Sequence, residues 1–100
     1  MKIVFTREAK AGLDELRDYL GPLNPLGLGN VVAAIERKIL HVAEYPQSGR
    51  QSPRDDVREV IESRYGFLIP YYMRADVLYV LRIYRGSREP LDYQSLKTEA

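Results

Sequence analysis

Three runs of strand character separated by two very short links constrain the fold of this chain more than anything else in it. The runs are VREVIES (57–63), FLIPYYM (67–73) and VLYVLRIY (77–84), joined by Arg64-Tyr65-Gly66 and Arg74-Ala75-Asp76. β-Branched and aromatic residues fill each run, and links this short allow no crossover, so neighbouring runs must pair as an antiparallel meander. Pro70 has no N–H to give to a ladder and therefore marks a bulge or an unpaired edge position. Strand alternation sends Tyr71 and Tyr72 to opposite faces. It also predicts that Leu81 and Ile83 share one face while Arg82 points to the other.

The amino-terminal half reads differently. KIVFT (2–6) is a short strand, and Thr6 is placed to cap a helix opening at Arg7. In REAKAGLDELRDYL, Ala9, Leu13, Leu16 and Leu20 recur at helical spacing, with Glu8, Lys10, Asp14, Arg17 and Asp18 left for water. Gly21 and Pro22 are expected to end this helix. Asn24-Pro25 resembles a cap followed by a first-turn proline. A second helix should reach Glu44 with Val31 or Val32, Ile35, Ile39 and Val42 facing inward. Gly27 and Gly29 each disfavour helix by about 1 kcal/mol relative to alanine, which moves the expected start toward Asn30. So short a link makes the two helices an antiparallel hairpin. Pro46 closes the second helix, and PQSGRQSPRDD (46–56) is loop by composition.

The expected order is β-α-α-β-β-β, an α+β fold with a helical hairpin on one face of an antiparallel sheet. Residues 1–90 form one domain. Residues 91–100 are a polar tail that carries Leu91, Tyr93 and Leu96 and either adds a short strand or stays mobile.

Composition narrows the chemistry. The 100 residues include no cysteine, which excludes disulfides, thiolate metal sites and cysteine nucleophiles. No phosphate loop, zinc pattern or serine–histidine–aspartate set occurs, so no cofactor or metal is expected. No run approaches the apolar length of a membrane span, and a soluble, cytoplasmic protein without membrane contact is expected. Fifteen basic against fourteen acidic residues leave a net charge of +1. A chain that lives on nucleic-acid phosphates carries a larger excess, so sequence-specific nucleic-acid binding is not expected of it alone.

Its positive charge is local instead. The final run ends LRIYRGSRE, with Arg82, Arg85 and Arg88 within seven residues. Arginine is costly to bury without a partner, which places these residues at a rim of the sheet. Arg82 either pairs with Glu59 or Asp76 or holds a carboxylate of another molecule. The one histidine, His41, lies off the apolar stripe of the second helix and is expected on the surface. Arginines stay protonated near neutral pH and are poor bases, so this end of the sheet suits binding better than proton transfer.

Element order and three local patterns together resemble the RelE/ParE superfamily of bacterial toxins, over nearly the whole chain from Lys2 to about Glu89. The patterns are Pro46, Gly49 and Arg50 in the turn after the second helix; Arg58 opening the meander, with Tyr71 in LIPY; and the final strand running into the basic turn of Arg82, Arg85, Gly86 and Arg88. Many members place a histidine where this chain has Arg85. The PQSGR and LIPYY stretches resemble the ParE branch, which implies a protein inhibitor of DNA gyrase silenced by a cognate ParD-like antitoxin, and not an enzyme. The RelE branch implies instead a ribosome-dependent messenger-RNA endonuclease, in which arginines stabilise the cleaving phosphate and Tyr84 or another polar group assists proton transfer. The resemblance makes Arg58, Tyr71, Arg82, Arg85 and Arg88 the candidate residues for binding target or antitoxin.

Overall fold

A computed structural model describes residues 1–86 and 90–99. Its elements are β1 (Lys2–Phe5), α1 (Arg7–Leu23), α2 (Pro25–Glu44), β2 (Arg50–Gln51), β3 (Arg58–Glu62), β4 (Phe67–Arg74), β5 (Val77–Val80) and β6 (Tyr84–Arg85), followed by a 3-10 turn at Tyr93–Ser95. The strands form one mixed sheet in the order β1-β5-β4-β3-β2, with β6 returning beside the start of β4. The meander is antiparallel as expected, and β1 joins its edge in parallel, Lys2 opposite Val77 and Phe5 opposite Val80. Among the described residues no helix is long and apolar enough to cross a membrane.

The helical hairpin covers one face of this sheet. Val31, Ile35, Ile39 and Val42 of α2 meet Phe67, Ile69, Tyr71, Leu78, Val80 and Ile83, and Ala9, Leu13, Leu16 and Leu20 of α1 join them. These are the positions the helical spacing selects. The helix limits differ from expectation. Pro22 sits inside the last turn of α1, and the helix closes only at Leu23, where the Asn24 N–H reaches the Leu20 carbonyl at 2.7 Å. α2 begins at Pro25, well before Asn30, because the Asn24 side chain caps the Gly27 N–H at 2.9 Å. A Cβ on Gly27 would strike that folded-back side chain, so this glycine permits the cap that starts the helix.

The opposite face is covered too. Val57 and Leu81 form a second cluster with Leu96, flanked by Tyr72, Tyr79, Leu91 and Tyr93. The described part of the tail therefore packs on the sheet and adds no strand to it. Tyr71 and Tyr72 take opposite faces as alternation predicts, and Tyr72 stands across from Tyr79 with ring centres 6.1 Å apart.

The final strand breaks the predicted alternation. Tyr71 faces Val80 in the β4–β5 ladder, whereas Leu68 faces Tyr84 in the β4–β6 ladder. Two residues of β4 thus oppose three of the last strand, which is a β-bulge. The extra residue sends Leu81 to the tail side and Ile83 to the helix side, so the expectation that they share a face is corrected.

Pro70 explains the position of the bulge. Its carbonyl accepts the Leu81 N–H at 2.9 Å, but its own nitrogen has no hydrogen to return to the Leu81 carbonyl. The Thr6 hydroxyl donates there instead, at 3.0 Å, while its oxygen accepts from the Ala9 N–H at 3.2 Å. One buried threonine caps α1 and supplies the bond that proline withholds.

Candidate functional site: a basic lip at the bulge

The bulge aims the end of the last strand. α1 approaches it closely at Gly12, where a Cβ would lie 2.8 Å from the Ile83 carbonyl oxygen. The other side is tied down by the β3–β4 turn. Gly66 adopts φ +79° there, and its carbonyl accepts the Gly86 N–H at 2.8 Å. Buried Glu62 fixes the same turn by accepting from the Arg64 and Tyr65 N–H groups, each at 2.9 Å. Arg82, Tyr84, Arg85 and Gly86 are thus held from two directions by backbone contacts.

Both arginines of this lip lie on aromatic rings. The Arg82 guanidinium is 5.3 Å from the centre of Tyr84, and that of Arg85 is 5.2 Å from the centre of Phe67. A ring face holds a guanidinium in place without neutralising it. Among the described residues the ion pairs join Arg17 to Asp14, Arg50 to Glu59 and Arg54 to Asp56. The alternative of a pair between Arg82 and Glu59 or Asp76 is therefore corrected: Glu59 is taken by Arg50.

The lip forms one wall of a groove of about 640 Å³. Glu8, Glu15 and Asp18, all on α1, line the same groove with Leu16, Phe67 and Ile83. Charges of both signs thus border one partly apolar groove. Arg85 also borders a second depression of about 520 Å³, with Arg50, Ile61, Tyr65 and Leu68. The acidic lining was not singled out from the sequence, although Glu8, Glu15 and Asp18 recur at i, i+7 and i+10, a stripe along one helix face.

The five candidate residues do not form one site. Arg82 and Arg85 share the lip, and Arg88 lies outside the described residues. Arg58 and Tyr71 face each other across β3 and β4, farther along the sheet. Tyr71 is only 1% exposed. Its hydroxyl donates to the Pro46 carbonyl at 2.6 Å and accepts the Gly49 N–H at 3.0 Å, while Arg58 Nη1 donates to the Gly49 carbonyl at 2.8 Å. Burial raises the Tyr71 phenol above its ordinary pKa, opposed by the Gly49 bond and the Arg58 charge. A Cβ on Gly49 would press into the phenol ring, whose carbons lie 2.6 and 2.8 Å from that position. Pro46, Gly49, Arg58 and Tyr71 form an internal clasp that fastens the loop after α2 to the sheet. Tyr71 is therefore placed in this clasp and not at the lip, with its hydroxyl buried and bonded within the chain. His41 is exposed on α2, 5.2 Å from the Tyr45 ring.

Residues 3–90 match the ParE toxins of type II toxin–antitoxin systems, parDE. The chain belongs to this family. Toxin RelE2 of Caulobacter vibrioides is 29% identical over 87 residues, 87% of this chain and 97% of that protein. Putative toxin Y4kP of Sinorhizobium fredii is 34% identical over 76 residues, 76% of this chain and 79% of its own length. A solved structure of the chromosomal ParDE toxin–antitoxin system from P. aeruginosa superposes with a TM-score of 0.61 at 28% identity, covering 85% of this chain and 95% of that one. The helical hairpin on a mixed sheet is thus the architecture of a ParE-family toxin, and the basic lip lies within the matched residues.

Proposed function

We propose that this toxin inhibits DNA gyrase by binding it, and that a cognate ParD-like antitoxin neutralises it in the cytoplasm. The observation that carries this reading is the lip: Arg82 and Arg85, laid on rings and without a carboxylate partner among the described residues, at a groove that α1 also lines with carboxylates. Such an arrangement suits recognition of a folded partner or an amphipathic segment that carries both charges, because each sign finds its complement and the wrong orientation is penalised. The likeness to a ParDE system supports an antitoxin as one such partner.

The test combines purified protein with gyrase, ATP and relaxed plasmid. Loss of supercoiling or trapped cleaved DNA is expected, with relief by the antitoxin encoded beside the toxin. Arg82→Glu combined with Arg85→Glu should weaken antitoxin binding at least tenfold, roughly 1.4 kcal/mol, without changing the fold. Undiminished supercoiling at a large excess of toxin would sink the gyrase assignment.

A second reading, ribosome-dependent messenger-RNA cleavage, is favoured by one cluster. The buried Glu59 carboxylate accepts from Arg50 Nε and from the Tyr93 hydroxyl, which places groups able to hold a proton beside basic ones. A translation extract separates the two readings, since cut messages appear only under the second.

A further inference from the structure

The family match stops at residue 90, yet the tail beyond it is seated on the sheet. Leu96 is 5% exposed and packs with Val57 and Leu81, both fully buried. The Tyr93 hydroxyl donates to Glu59, a carboxylate only 3% exposed. Arg54 reads the backbone: its Nη1 donates to the Leu96 carbonyl at 2.8 Å and to the Tyr93 carbonyl at 3.3 Å. Asp56 aims that guanidinium through a bond of 2.7 Å to Nε. Asp92 shapes the segment by accepting the Gln94 N–H at 3.1 Å.

These contacts have the composition of a peptide-binding surface. Main-chain carbonyls are held by one fixed donor, and the side chains of Tyr93 and Leu96 are read by a single polar group and an apolar socket. We propose that the sheet face opposite the helices is a peptide-docking surface, and that residues 91–96, in the pattern Leu-x-Tyr-x-x-Leu, are an exchangeable ligand bound in cis. Exchange follows from the balance of terms. One buried leucine, two half-buried side chains and the bonds to Glu59 and Arg54 are set against the ordering of an entire segment, which leaves docking favoured only modestly, by about ten- to a hundredfold. Release uncovers Tyr72 and Tyr79 and removes the second donor from Glu59, loosening its hold on Arg50. The proposal needs no choice between gyrase and ribosome, because its test reads peptide binding alone; the docked Tyr93 is also the Glu59 partner named in the second reading.

The test uses the full chain and a fluorescent peptide of residues 90–100, with binding read by anisotropy. The Leu96→Ser chain, whose own tail is weakened, should bind the peptide saturably and at least tenfold more tightly than the wild-type chain, whose cis segment competes at high effective concentration. A Tyr93→Phe peptide, or a receptor chain that also carries Arg54→Ala, should bind several-fold more weakly. Equal binding to both chains, or none to a Leu96→Ser chain with native circular dichroism, overturns the proposal. Unfolding of the Leu96→Ser chain overturns it as well, because the tail would then be part of the core and not a ligand.

Discussion

Replacing Tyr71 by phenylalanine removes one oxygen from the middle of the clasp and leaves the ring, so no cavity opens. The loss falls on two backbone groups. The Gly49 N–H is buried and loses its acceptor, at a cost of about 1–3 kcal/mol. The Pro46 carbonyl is half-exposed and can turn to water, so its loss adds little. Together these amount to about 2 kcal/mol, a large fraction of the stability of a domain this size. At 4–8 °C per kcal/mol, the melting temperature at pH 7 should fall by roughly 8–16 °C. The urea m-value should not change, since the same surface unfolds. Thermal and urea unfolding followed by circular dichroism measure both quantities. A fall of less than 2 °C would refute the clasp.

The same variant carries a pH test. Burial raises the folded phenol above its ordinary pKa near 10, so the unfolded state ionises first. The contribution of Tyr71 is fully present below that ordinary value and is lost as pH rises toward the folded one. The phenylalanine chain has no such loss at this position. The gap between the two proteins should therefore narrow from pH 9 to pH 11, and a constant gap would mean that the phenol is not desolvated.

Thr6→Val keeps the shape of the side chain but removes both the helix cap and the donor to the Leu81 carbonyl. It should destabilise by about 2–3 kcal/mol in urea titrations and weaken antitoxin binding as the bulge shifts the lip. Ala75 and Asp76 hold φ values of +49° and +62° in the β4–β5 turn, a conformation that asparagine tolerates better than alanine. Ala75→Asn should raise stability by about 0.5–1 kcal/mol, read as a melting temperature higher by a few degrees, with no effect on binding.

Local chemistry along the chain dictates most of the elements and their packing faces. Helical periodicity picked the inward residues of both helices, the two short links required the meander, and Thr6 and Asn24 were recognisable as caps from their chemistry alone. Pro70 pointed to a bulge or an unpaired edge position because a missing N–H is a property of one residue. Which strand absorbed the extra residue was decided by the tertiary structure, where Thr6, distant in sequence, reaches the orphaned Leu81 carbonyl. That choice moved Ile83 into the helix-side core, contrary to simple alternation.

The candidate site divides in the same way. An arginine-rich end of the final strand was legible in LRIYRGSRE, as was its place at a rim. The acidic lining of the groove, the rings beneath Arg82 and Arg85, the clasp around Tyr71 and the docked tail all depend on residues far apart along the chain. Local propensity and spacing report only on neighbours within a turn or a strand. Contacts between distant segments form because burial and hydrogen bonding in the assembled fold outweigh the entropy of bringing those segments together, and only the folded chain displays that sum.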